Sequence, residues 1–97
     1  MNKDITAEQL FYLGMEHYDK GDLKKAQDFL QEADNKSPGR LSILVNLITI
    51  MHQQNKWDES LNTCERLLEL FPNESSSWEK FANYLFGLSQ YNESIEF

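Results

Sequence analysis

Cys64, His17 and His52 are the residues of this chain whose types could form a nucleophile and its base. An imidazole that takes the proton of a thiol leaves the thiolate that attacks a substrate. Helical spacing, however, places Cys64 on the apolar face of a predicted helix with Leu61 and Leu67, where a thiol behaves as a small apolar side chain. His17 likewise occupies a packing position. One cysteine and two distant histidines also lack the spacing of zinc sites. The sequence therefore predicts no catalytic residue, no metal ligand and no cofactor.

The net charge of −7, from sixteen acidic and nine basic residues, is spread along the 97-residue chain. Nucleic acids and anionic membrane surfaces bind to basic stripes, so the sequence disfavours both as partners and leaves proteins and peptides. The length suits one small domain. Single Cys64 cannot form an internal disulfide, and the sequence has neither a secretory signal nor an apolar run long enough to span a bilayer. These features predict a cytoplasmic protein.

A period of 34 residues organises the whole chain. Shifting the sequence by 34 places similar residues on one another, and a fixed period of this length indicates a repeated supersecondary unit. The matched positions are Leu10, Leu44 and Trp78; Leu13, Leu47 and Phe81; Gly14, Ile48 and Ala82; Ala26, Ser60 and Ser94; Pro38 and Pro72.

Apolar residues recur at helical spacing within each unit, which predicts two helices per unit. Thr6 with Gln9 has capping-box spacing and starts the first helix, while Gly21 and Asp22 separate the first from the second. Ser75 or Ser76 is expected to cap the fifth helix. The third helix contains an apolar run that alone could be a strand, and the register decides for a helix. The predicted helices span about 7–20, 23–36, 41–54 and 57–70; the fifth runs from its cap at Ser75 or Ser76 to about 88, and a sixth begins at 91.

These units resemble the tetratricopeptide repeat, whose pattern is W-x2-L-G-x2-Y, then A-x3-F, then P. The first unit carries it as Leu10, Leu13, Gly14, His17, Ala26, Leu30 and Pro38. Ile48 departs from the pattern as a large residue at a small position, and His17 and Cys64 depart from it by replacing large side chains. The resemblance implies an all-α fold, a right-handed superhelical α-solenoid of helix-turn-helix repeats. The chain would then be one domain, residues 1–97, with repeats at about 7–40 and 41–74 and an incomplete third at 75–97.

In proteins with this repeat, the first helix of each unit lines a concave groove that binds a peptide or protein segment. The resemblance therefore implies a non-enzymatic interaction module or scaffold. It places in the groove Phe11, Met15, Tyr18, Val45, Asn46, Thr49, His52, Lys80, Asn83 and Phe86.

Phe11, Met15 and Tyr18 lie off the packing face of the first helix, so either a partner or a neighbouring helix is expected to cover them. Family members that hold the C-terminal carboxylate of heat-shock chaperones have lysine and asparagine where Phe11 and Met15 stand here. Asn46 matches that clamp, and Lys80 falls on its last cationic position. The comparison implies a groove lined by apolar and uncharged polar side chains rather than by cations.

The third unit lacks most of the helix that should cover Trp78, Phe81 and Leu85. One expectation is that the chain is the N-terminal repeat region of a larger protein, such as a glycosyltransferase, whose catalytic domain lies beyond Phe97. An oligomerisation or spacer segment is the other. In either case we expect a homo-oligomer to form through this end when the chain is alone.

Overall fold

The computed structural model describes the backbone of residues 5–96 and the side chains of residues 5–94. Residues 1–4 and 97, the two ends of the predicted domain, lie outside the described part. Within it the chain is all helical, as predicted, and contains no strand. The helices are α1 (Ala7–Asp19), α2 (Leu23–Lys36), α3 (Leu41–Gln53), α4 (Trp57–Leu70) and α5 (Ser75–Glu96).

The local signals at the first helix boundaries are confirmed. Thr6 Oγ1 accepts the backbone N–H of Gln9, whose side chain accepts the N–H of Thr6 in return, so the predicted capping box starts α1. Asp22 caps α2 by accepting the N–H of Lys25. Gly21 between the two helices has a φ of 83°, a conformation that glycine adopts without the steric cost of a side chain. These contacts explain why the first unit folds into two short helices.

Close approach of the paired helices depends on one position in each unit. A Cβ added to Gly14 would lie 2.1 Å from Leu30 Cδ1, so α1 and α2 pack here without room for any side chain. In the second unit, Ile48 and Cys64 are fully buried in one cluster between α3 and α4. In the first unit the small residue, Gly14, is on the first helix and the large one, Leu30, is on the second; in the second unit this order is reversed. These two departures from the repeat pattern are opposite in size and lie in the same cluster, so their volumes offset one another.

α3 lies at the centre of the molecule. It contacts α2 on one side and α4 and α5 on the other, which explains why a helix with so little polar surface is stable in water. The apolar run that alone could have been a strand is thus helical, as the register predicted. Its buried residues are Ile43, Leu44, Leu47, Ile48, Ile50 and Met51.

Polar contacts join the second helices of neighbouring units. Arg66 Nη1 on α4 donates to Asp34 Oδ2 on α2 at 2.9 Å, and the backbone N–H of Gly39 donates to the other oxygen of this buried carboxylate at 3.2 Å. Gln27 Nε2 on α2 donates to Glu59 Oε1 on α4 at 3.0 Å. The contacts of Arg66 with Asp34 and of Gln27 with Glu59 join α2 to α4 and so favour one relative position of the two units.

The predicted sixth helix is wrong, because α5 continues to Glu96 without a turn. The turns of the first two units use positive φ at Gly21 and Asn55, 83° and 60° respectively. The equivalent position, 34 residues beyond Asn55, is Ser89, and serine is less suited than glycine or asparagine to that conformation. Leu88 and Tyr91 also extend the packed side of α5, with Tyr91 6.0 Å from Trp57 between ring centroids. Helix continuation is therefore favoured by both backbone and packing.

The start of α5 also differs from the prediction. Ser75 is already its first residue, so a cap at Ser75 or Ser76 is wrong by at least one position. The hydroxyl of Ser77 instead donates to the carbonyl of Phe71, and the indole N–H of Trp78 donates to the carbonyl of Pro72, each at 2.8 Å. These bonds fix the turn between α4 and α5.

Candidate functional site

The first helices of the three units, α1, α3 and α5, are linked in a row by polar contacts. Gln53 Nε2 on α3 donates to the hydroxyl of Tyr18 on α1 at 2.7 Å. On the other side of α3, Lys80 Nζ on α5 donates to Thr49 Oγ1, also at 2.7 Å. We call the surface that these three helices present, with the predicted groove residues on it, the inner face. The Lys80 ammonium is thus held against α3 by this hydrogen bond.

On α1 the predicted residues Phe11, Met15 and Tyr18 are half buried. They pack against the core cluster to which α3 contributes Leu47, Ile50 and Met51. Part of each side chain is thus taken up by the neighbouring helix, and part remains in solvent. These residues combine a structural contribution with a limited accessible apolar surface.

On α3 and α5 the predicted residues differ in exposure. Val45, Asn46 and Thr49 are half buried, and Asn46 Nδ2 donates to the carbonyl of Ser42 in its own helix at 2.8 Å. Asn83 and Phe86 are exposed, Phe86 with 67% of its surface in solvent. Amide and aromatic groups of α3 and α5 are therefore at least partly accessible to solvent.

His52 lies in an aromatic cluster rather than free on the inner face. Its ring is 5.4 Å from that of Trp57 and 6.3 Å from that of Tyr84, measured between centroids. Burial lowers the pKa of His52 below its ordinary value of 6.5, and the nearby positive charge of Lys80 lowers it further. His52 is accordingly a neutral packing residue at neutral pH.

Acidification from pH 7.5 to 5.5 is expected to destabilise the protein through His52. Because the pKa is lower in the folded than in the unfolded chain, the unfolded chain binds the proton first, and stability falls as the pH falls through 6.5. Urea denaturation at several pH values measures this slope. His52→Gln should flatten it, and an equally steep slope in that variant would contradict this role.

Cys64 and His17 occupy structural positions, as predicted. Cys64 is fully buried, burial raises the pKa of its thiol, and Sγ lies 3.8 Å from the carbonyl oxygen of Lys80. A buried neutral thiol is a poor nucleophile. His17 is half buried and stacks on Phe29 at 5.3 Å between ring centroids.

The described residues also give two findings about other classes of site. Among the side chains of residues 5–94, no group of three or more histidine, cysteine, aspartate or glutamate residues is arranged to hold a metal ion. No helix of the described chain is both long and apolar enough to cross a membrane.

Sequence reasoning missed Tyr12 as an exposed residue of α1. It is 71% exposed and lines an open depression along α1 with a volume of about 640 Å³. The signal was present, because Tyr12 is the 34-residue equivalent of Asn46 and Lys80, both of which were predicted. The depression is lined by Ile5, Gln9, Tyr12, Leu13, Met15, Glu16 and Asp19.

Comparison with known proteins agrees with the repeated helix pairs. The sequence model of a family described as tetratricopeptide repeat matches residues 17–82. No curated protein matches the chain significantly. The family match begins in α1, includes α2, α3 and α4, and ends in α5, the same helices that the 34-residue period relates. Since the match spans more than half of the sequence, the chain belongs to the tetratricopeptide repeat family.

Proposed function

We propose that this chain is a non-enzymatic scaffold whose inner face binds a peptide or a segment of another protein. Tetratricopeptide repeats generally mediate protein–protein interactions and are typically not enzymes. In this proposal residues 1–97 form one domain. A cytoplasmic location stays a prediction from the sequence. The observation that supports the proposal is exposure: Asn83 and Phe86 on α5 are exposed, and Asn46 on α3 keeps part of its surface in solvent.

The chemistry of the inner face favours a segment with apolar side chains and an accessible backbone. Amide side chains both donate and accept hydrogen bonds, so Asn46 and Asn83 can pair with the N–H and C=O groups of an extended peptide. Met15, Val45 and Phe86 offer apolar contact, each with surface left in solvent. Because Lys80 donates to Thr49, a free C-terminal carboxylate is not the expected anchor.

The groove proposal predicts which amides a ligand needs. Peptides selected from a random display library on the 97-residue chain serve as probes, and fluorescence polarisation measures their dissociation constants. Replacing both Asn46 and Asn83 with alanine should weaken binding at least about tenfold, since each lost hydrogen bond is worth about 1 kcal/mol.

Two exposed asparagines on the second helices provide a matched control. Asn35 on α2 and Asn62 on α4 are exposed, so the double alanine variant at these sites should bind the same peptides within about twofold of wild type. If both double variants weakened peptide binding equally, or if neither weakened it, the binding surface would not be the inner face.

A further inference from the structure

One side of α5 lacks the packing that its equivalents have in the first two units. Trp78 and Leu85 are 57% and 52% exposed, whereas the residues 34 positions earlier, Leu44 and Met51, are buried. We call this surface the open face of α5 and define it by Trp78, Ala82, Leu85 and Ser89. In the second unit the equivalent surface packs against α4, but in the described chain α5 continues straight past the position of that turn.

The spacing on the open face is that of a helix–helix contact. Successive intervals of four, three and four residues place its members in one stripe, and large and small residues alternate along it. We infer that a second copy of this chain covers the open face, with the two α5 helices antiparallel about a two-fold axis between Asn83 and Tyr84.

That arrangement is self-complementary in size. Trp78 of one copy meets the partner's Ser89, and Ala82 meets the partner's Leu85, so each large side chain faces a small one. A symmetric contact repeats both pairs on the other side of the axis, as an isologous interface requires. The same stripe in a parallel pair would place Trp78 against the partner's Trp78 and leave a gap at Ala82.

Charge does not oppose this contact at its centre. Each copy carries a net charge of −7, which would repel a second copy at most surfaces. Residues 81–92, however, include no charged side chain, although 25 of the 97 residues are charged. The open face is therefore a surface where two acidic copies can approach without burying a charge.

The available area predicts a weak dimer. An aromatic side chain buries 150–250 Å² when fully covered, so the exposed part of Trp78 contributes about 100 Å². The open face then buries a few hundred Å² per copy, below the roughly 800 Å² of a standard interface. Trp78 is partly preorganised, because its indole N–H donates to the carbonyl of Pro72 at 2.8 Å. We therefore expect a weak dimer that forms only at high protein concentration.

Sedimentation equilibrium over a concentration series of the 97-residue chain tests the contact. Ala82→Leu should raise the dimer dissociation constant at least tenfold, because it opposes the partner's Leu85. Combining Ala82→Leu with Leu85→Ala restores a large residue opposite a small one and should bring the constant back to within about threefold of wild type. Circular dichroism checks that the exposed substitutions leave the fold intact.

Recovery in the double variant supports the antiparallel register, because only facing residues can exchange sizes in this way. Tyr12→Ala, at the opposite end of the molecule, should leave the constant unchanged within twofold. A strict monomer at several hundred micromolar, or a dimer that Ala82→Leu does not weaken, would overturn the proposal. A dimer that weakens with Tyr12→Ala would overturn it as well. None of these substitutions changes Asn46 or Asn83, so failure here is distinct from failure of the groove proposal.

Discussion

Gly14→Ile is expected to destabilise the fold by about 3 kcal/mol, at the upper end of the range for overpacked cores. Even a single Cβ at this position would lie 2.1 Å from Leu30 Cδ1 and 3.2 Å from the backbone oxygen of Ala26. Leu30 is fully buried, so it cannot move into solvent to make room. The better helix propensity of isoleucine offsets only about 0.5 kcal/mol. Denaturant unfolding monitored by circular dichroism measures the difference.

The second unit supplies the rescuing substitution. There Ile48 shares a cluster with Cys64, so adding Leu30→Cys to Gly14→Ile recreates that pair in the first unit. The free energy of unfolding of the double variant should exceed the value expected from adding the two single effects by about 1 kcal/mol or more. Ala82→Ile, the same position on the open face of α5, should cost less than about 0.5 kcal/mol at concentrations where the chain is monomeric. Additive effects at Gly14 and Leu30 would show that the two departures do not compensate.

Arg66→Ala is expected to cost about 2 kcal/mol in unfolding free energy. The Asp34 carboxylate is only 5% exposed, and removing Arg66 leaves its charge with one described hydrogen bond, from the N–H of Gly39. Loss of one partner from a buried pair typically costs 3–5 kcal/mol. The smaller value applies because the Arg66 side chain is 42% exposed, so water reaches the pair.

The ion pair between Lys24 and Asp28 is the control for this prediction. Its atoms are 3.6 Å apart within α2, and both side chains are largely exposed. Lys24→Ala should change stability by less than about 0.5 kcal/mol. If Arg66→Ala were as mild as Lys24→Ala, the contact between α2 and α4 would not stabilise the arrangement of the two units.

Local signals in the sequence determined most of the secondary structure. The capping box at Thr6, the glycine at position 21 and the cap at Asp22 act within a few residues, so their effect does not depend on what lies elsewhere in the fold. The 34-residue period added the information that no single helix contains: which helices are equivalent, and that α3 is a helix rather than a strand. Burial of Cys64 followed from the same pattern.

Tertiary packing decided the features that depend on a neighbouring helix. Whether Ile48 fits is determined by the size of Cys64 opposite it, and whether Phe11 is accessible is determined by how closely α3 packs beside α1. The course of the chain beyond Leu88 likewise depends on packing against Trp57 as well as on the backbone of Ser89. Sequence periodicity shows which face of a helix is apolar, but the element that covers that face is chosen by contacts between residues distant in sequence. Leu44 and Trp78 therefore occupy the same position in the sequence pattern, but Leu44 is buried and Trp78 is exposed to solvent.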